Sequence, residues 1–303
     1  MPYNCTDCPR NCGALRSGPS GRGYCGSGEL IGVARVMRHM WEEPCLGGQK
    51  GVENIFLTGC NLKCIYCQNH KINGSEDISG IPGLLFASPE DFGKILIDAA
   101  NTDAQAVGIV TGDHYIRQIA ASVTPDVKAA IKKPLIFNCG GYMKPETVEL
   151  LRGKVDIFMP DFKYSDGYAA GCLSKAADYP EVAKAAILKC FELAGPAVFD
   201  DDGLMKSGVI VRHLVLPGRI QNTLGVIDEL NGMFKPGDIV FSLMSQYLPL
   251  PGLVPPPCFE RLTGPVSKAE YKKSKEYFEN ALNLTLGYTQ DLSSSDPSYV
   301  PDF

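Results

Sequence analysis

No stretch of this 303-residue sequence approaches the roughly 18 consecutive apolar residues that a membrane-spanning helix requires, so a membrane partner is not expected. The amino terminus, Met1-Pro2-Tyr3-Asn4-Cys5, lacks the basic and apolar regions of a secretory signal, and the expected compartment is the cytoplasm. Positive charge is in short supply as well. Lys and Arg number 29 against 34 Asp and Glu, for a net charge of -5, which leaves no basic footprint to follow a phosphate backbone. Nucleic acid is therefore not an expected partner. Apolar material is not lacking: 45% hydrophobic against 21% charged residues excludes a disordered chain and supplies a core. The length fits one large domain with a small appendage.

Cysteine is what the sequence has in excess. In a reducing compartment, twelve thiols are more often metal ligands or catalytic groups than disulfides. Eight of them fall within the first 67 residues, while Cys139, Cys172, Cys190 and Cys258 are scattered. A uniform structural role would not cluster them in this way.

Residues 1–50, rich in Gly, Cys and Arg with little sustained periodicity, read as a small metal-organised segment. From there the pattern becomes regular. Apolar strands are expected over 52–58, 106–111, 134–139, 155–160, 208–216 and 239–246, and helices over 88–101, 114–132, 145–151, 179–193, 224–233 and 267–281. Ser88 as N-cap with Pro89 at the first helical position marks one such start. Strands apolar on both faces that alternate with helices form a parallel sheet covered by helices. Six strands are too few for an eight-fold barrel. The expected fold class is α/β, a partial (β/α)6 barrel over 51–290 with a cysteine-rich N-terminal segment and an irregular tail at 291–303; a doubly wound open sheet is the alternative. Either fold puts ligands at the carboxyl ends of the strands.

Directly after the first of these strands stands Cys60-Asn61-Leu62-Lys63-Cys64-Ile65-Tyr66-Cys67. Three thiolates at C-x3-C-x2-C spacing can each hold one iron of a cubane, and with no fourth cysteine nearby one iron stays open. An open metal position is where a substrate or cofactor coordinates. Buried free thiols, or a zinc site completed from elsewhere, are the plainer alternatives. At these residues the chain resembles the radical S-adenosylmethionine (SAM) superfamily. The resemblance implies a 4Fe-4S cluster on Cys60, Cys64 and Cys67 whose open iron is chelated by SAM. It further implies reductive cleavage of SAM to methionine and a 5′-deoxyadenosyl radical that abstracts hydrogen from a substrate. It also implies that Tyr66 flanks the adenine and that a donor such as flavodoxin or ferredoxin supplies the electron.

After the second strand, Thr111-Gly112-Asp113 looks like a degenerate form of the Gly-Gly-Glu segment that receives the SAM ammonium in that superfamily, a charge-assisted hydrogen bond. Asp113 could equally cap the helix expected from 114. Asn138 closes the third strand, and Asp161 and Lys163 follow the fourth at period two, facing one side. They suit the ribose or carboxylate of SAM, with an ordinary ion pair as the alternative. In the fifth strand Arg212 and His213 point to opposite faces, and Arg212, whose planar fork suits a carboxylate, is the candidate for the site.

Taken together, Asp161-Phe162-Lys163-Tyr164, the run from Arg212 to Gly218, Gln246 to Pro249 and the cysteine-rich start resemble a subgroup of uncharacterised iron–sulfur proteins homologous to pyruvate formate-lyase activating enzyme. That resemblance implies descent from enzymes that activate a glycyl radical enzyme as protein substrate, without fixing that activity here. Modification of another protein or of a small molecule, or an electron carrier without SAM chemistry, are the competing functions. Cys5, Cys8, Cys12 and Cys25 offer four more thiolates, for a closed zinc site or a second iron–sulfur cluster, with Cys45 as an alternate ligand. Cys190 reads as core, Cys139 as a residue of the barrel mouth, and Trp41 as core or lid.

Overall fold

The computed structural model describes residues 2–74 and 78–292. A short antiparallel hairpin, β1 (Tyr3–Asn4) with β2 (Leu15–Arg16), opens the chain. There follow β3 (Ile31–His39), α1 (Pro44–Gly47), β4 (Val52–Leu57), β5 (Leu85–Ala87), α2 (Pro89–Ala100), β6 (Ala106–Val110), α3 (Ile116–Ser122), α4 (Pro125–Ala130) and β7 (Leu135–Cys139). Next come α5 (Pro145–Val148), β8 (Ile157–Pro160), α6 (Gly167–Ser174), α7 (Tyr179–Ala194) and β9 (Val198–Phe199). The remainder is β10 (Met205–Leu214), α8 (Ile220–Met233), β11 (Val240–Met244), α9 (Lys268–Glu279) and β12 (Leu286–Thr289).

The main sheet runs β12-β11-β10-β8-β7-β6-β4-β3-β5, with β9 paired to β10. From β4 to β12 every neighbouring pair is parallel, and β3 is antiparallel to both β4 and β5. The strands advance in one direction without the reversal that makes a doubly wound sheet, and the two edge strands do not pair, so this is a partial barrel.

Alternation along each strand builds the interior in layers. Val52, Ala106, Ile136, Ile157, Ile210 and Val240 form one apolar cluster, into which α1 inserts Cys45 and Leu46. Two residues further along, the same faces carry Asn54, Gly108, Asn138, Met159, Arg212 and Ser242, so the lining turns polar toward the carboxyl ends. The opposite faces, with Ile55, Val107, Phe137, Phe158, Val211 and Phe241, pack under the helices.

Three local expectations are corrected. The segment 1–50 does not end before the sheet: β3 lies within it and pairs with β4 over His39 to Val33, its pattern hidden by Arg35, Arg38 and His39 in a strand only half covered. The single helix expected over 114–132 is two, because Pro125 cannot continue a helix and instead starts α4 behind the cap of Thr124. The Gly-rich α6 and the edge strand β12 were not expected; Asp166 starts α6 by accepting from the Tyr168 and Ala169 amides. Ser88 caps α2 as expected. Of the tail, residues 293–303 lie outside the described residues, and among the described residues no helix is long and apolar enough to cross a membrane.

Phe158, buried under α7 with its ring 6.3 Å from that of Phe137, tests the packing. Phe158→Ala should cost about 3–5 kcal/mol, read as a lower denaturant midpoint at unchanged slope; a loss under about 1 kcal/mol would contradict a rigid layer here.

Candidate functional site

A cavity of about 280 Å³ opens at the carboxyl ends of the strands. The chain enters it through Gly59, at φ +81°, where a side chain would meet Ser27 and the Cys25 carbonyl. The loop beyond is pinned by Gly59 N–H to the Ile72 carbonyl (2.8 Å) and by Asn61 Nδ2 to the Tyr142 carbonyl (2.7 Å). Cys60, Cys64 and Cys67 all line the cavity and are half-buried. Burial first, then Asp113 and the two other thiols, pushes the Cys60 thiol well up, and burial followed by Cys64 pushes the Cys67 thiol to about 11. Such thiols become thiolates only beside a cation, which is what a metal supplies.

A hydrogen-bonded chain backs the loop. Ser174 Oγ donates to Cys64 Sγ at 3.0 Å, the Tyr164 hydroxyl lies 2.6 Å from Ser174 Oγ, and the Tyr66 hydroxyl lies 2.6 Å from that of Tyr164. Tyr66 therefore lines the cavity with its ring while its hydroxyl is turned into the protein.

Asp113 is 1% exposed. It does not cap a helix: α3 begins at Ile116, with Tyr115 as N-cap and no side-chain cap bond. Its Oδ2 instead accepts from Gly140 N–H at 3.0 Å, and Oδ1 has no partner. Burial lifts the carboxyl to about 6, against the lowering pull of the Gly140 amide. Thr111, at φ +65°, makes the turn. Gly112 does not line the cavity; a Cβ there would stand 2.5 Å from the Phe137 ring.

On the facing wall, Arg212 donates from Nη2 to Asn138 Oδ1 (2.7 Å) and from Nε to Asp161 Oδ1 (3.2 Å), and Nη1 lies 3.8 Å from Glu42. Lys163 Nζ pairs with the other Asp161 oxygen. Burial opposes the charge on Asp161, yet Lys163 and Arg212 hold it below the usual carboxylate value. His213 points the other way, between the Phe162 carbonyl (2.7 Å) and Thr223 (3.0 Å), with burial lowering it to about 4.

Asn138, Asp161, Lys163 and Arg212 thus line the same cavity as the three thiols. No family model matches the chain. An uncharacterised protein of Methanocaldococcus jannaschii is 27% identical over 256 residues, 81% of this chain and 66% of that protein. Among solved structures, Streptococcus suis SuiB bound to S-adenosylmethionine superposes with a TM-score of 0.52 at 15% identity, over 79% of this chain and 50% of SuiB. A cysteine-to-serine variant of spore photoproduct lyase superposes at 0.51 and 15% identity, over 85% and 81%. The fold is that of the radical SAM enzymes. The chain spans about two thirds of the curated relative and half of SuiB.

Within this radical SAM fold, sequence reasoning missed Glu42, His39, Asn54 and Gln68, which also line the cavity. Glu42 and the buried Glu43 precede α1 in the segment read as irregular; an adjacent carboxylate pair ahead of an apolar helix was the available signal. Cys139 lines the cavity and Cys190 is core. Cys45 belongs to the apolar cluster of the barrel floor, away from the other thiols of the N-terminal segment. Trp41 is 63% exposed and so is not core. Cys5, Cys8 and Cys25 are buried and Cys12 is exposed.

The raised Asp113 gives a pH test. Between its ordinary 3.8 and about 6, the folded chain holds a proton that the unfolded chain has lost, so stability falls as pH rises through that window and is level above it. Asp113→Asn should abolish this fall, worth of the order of 2 kcal/mol between pH 4.5 and 7.5, in denaturation midpoints taken without SAM at those two pH values. Parallel pH profiles for the two proteins would refute the assignment.

Proposed function

We propose that this chain is a radical SAM enzyme, with Cys60, Cys64 and Cys67 holding a 4Fe-4S cluster and SAM seated beside it. The observation that carries the reading is that these three thiols open onto the same cavity as the unpartnered Asp113 oxygen. The donor set fits: three soft ligands from the eight residues Cys60 to Cys67 match an iron–sulfur cluster with one position open. When bound and reduced by one electron, such a cluster cleaves SAM to methionine and a 5′-deoxyadenosyl radical.

In this reading Asp113 Oδ1 accepts from the SAM ammonium while Gly140 N–H fixes its other oxygen, so a buried acceptor gains its missing donor. Arg212 and Lys163, held by Asp161, present cationic groups to the ribose hydroxyls or carboxylate. Tyr66 gives its ring to the adenine. Ser174 Oγ–H, directed at Cys64 Sγ, stabilises negative charge on that sulfur and raises the cluster's potential.

The finer proposal is that the substrate is a polypeptide and the hydrogen is taken from a glycine. Its support is the sequence resemblance to pyruvate formate-lyase activating enzyme, and SuiB has been solved with its precursor peptide SuiA. An external one-electron donor of the flavodoxin or ferredoxin class completes the reaction.

The test is made on anaerobically reconstituted protein with dithionite and SAM. Wild type should release 5′-deoxyadenosine and Cys64→Ala should release none. An intact cluster with no cleavage would leave an electron carrier. In the same material, Ser174→Ala should lower the cluster's midpoint potential; an unchanged potential would remove the role given to that hydroxyl.

A further inference from the structure

Cys60, Cys64 and Cys67 line the cavity that SAM and substrate take in the reading above, so the reducing electron has to arrive from the other side. There the carboxyl end of α6 is latched directly onto the loop. Lys63 N–H and Ile65 N–H donate to the Ser174 (3.5 Å) and Leu173 (2.9 Å) carbonyls. Ser174, which touches Cys64 Sγ, is fully buried, and the next residue, Lys175, is exposed. Along this path a single buried residue stands between Cys64 and the surface.

That surface is positive. Arg10 crosses the same helix end, donating from Nε to the Asn61 carbonyl (2.8 Å), from Nη2 to the Ser174 carbonyl (3.3 Å) and from Nη1 to the Lys175 carbonyl. Its guanidinium lies 4.1 Å from the centroid of the Tyr24 ring, and Lys63 Nζ lies 5.8 Å from the same centroid. Lys63 Nζ also donates to the Asn73 carbonyl (3.2 Å). Lys144 Nζ donates to the Thr6 carbonyl (2.8 Å) and to Oδ1 of Asn11 (2.6 Å), the residue after Arg10.

The hydrogen-bond partners in this group are neutral. Among the described residues, none of Arg10, Lys63, Lys144 and Lys175 forms an ion pair with a carboxylate. The acid at the margin, Asp178, accepts from the Tyr142 hydroxyl (2.8 Å). Elsewhere the pattern is the reverse, and Lys94, Arg152, Lys184 and Lys189 each pair with an acid. In a chain of net charge -5, four cations without a counter-charge around one helix end create a local field that attracts an acidic surface.

We propose that the face formed by Arg10, Lys63, Lys144 and Lys175 docks the electron donor, a protein with an acidic surface and a low-potential one-electron centre. The proposal rests on the radical SAM reading. Electron-transfer encounters are small and transient, and opposite charge raises their rate of formation more than their lifetime. The donor is oxidised by one electron and the cluster at Cys60, Cys64 and Cys67 is reduced by one; no bond in this chain forms or breaks.

The experiment sets two reductants side by side on the anaerobically reconstituted full chain: dithionite, which needs no docking, and reduced flavodoxin, an acidic carrier. The readout is 5′-deoxyadenosine. A variant carrying Lys63→Gln, Lys144→Gln and Lys175→Asn removes three charges, and Asn suits the left-handed backbone of Lys175 at φ +56°. It should keep the iron content and the dithionite-driven rate of wild type and lose about tenfold or more of the flavodoxin-driven rate at low salt. Equal flavodoxin-driven rates, or a loss of the same size with dithionite in the folded variant, overturn the proposal. Should the variant not fold, wild type alone decides: its flavodoxin-driven rate should fall as salt rises while its dithionite-driven rate holds. A flavodoxin-driven rate indifferent to salt rules out docking by charge. Absence of cleavage with dithionite refutes the radical SAM reading instead. Cleavage with dithionite but with neither flavodoxin nor an acidic ferredoxin leaves that reading standing and removes the docking face.

Discussion

The half-buried guanidinium of Arg212 sets the terms for the upper half of the barrel. An unpaired cation there would be prohibitive, and its partners come from separate parts of the chain: Asn138 from β7, Asp161 from the end of β8 and Glu42 from the segment before α1. Two of these partners are held in place by something else: Asp161 by Lys163, and Glu42 by Asn54 Nδ2 on β4 at 2.8 Å. The polar layer is thus one network that fixes the relative positions of four strands at the level where the lining changes from apolar to polar. The cavity keeps its shape because this network and the apolar floor beneath it both resist displacement.

The opposite wall obeys a different constraint, closeness of backbone. Gly59 leaves no room for a Cβ beside Ser27 and Cys25, and Gly112 leaves none beside the Phe137 ring. The loop of Cys60 to Cys67 and the turn carrying Asp113 can therefore approach the cavity from two strands without side chains between them. Ser174, at the end of α6, adds a hydroxyl behind Cys64. A helix of low intrinsic propensity, started by the Asp166 cap, thereby acquires a part in the site.

Much of this was legible in the sequence because it follows from period and spacing. Six of the seven parallel strands are largely apolar in sequence, and the C-x3-C-x2-C triplet follows close on the first of them. Arg212 and His213 were separable because neighbours in a strand face opposite sides. What escaped depends on contacts distant in the chain. β3 carries Arg35, Arg38 and His39, and its strand character comes from pairing with β4. Glu42 shows only as half of an adjacent carboxylate pair, and its partner is settled by Arg212, far along the chain. The unpartnered Asp113 oxygen is a fact about Gly140, twenty-seven residues away, and no local pattern encodes it.

Around the cavity, Arg212 and Lys163 stand against Asp161 and Glu42, opposite signs within a few ångströms of one another. Seen from solvent such a set largely cancels, whereas at contact each group remains strongly polar. A ligand therefore feels little pull until it is nearly in place. Capture then depends on shape and final contacts, and the rate of entry is insensitive to ionic strength.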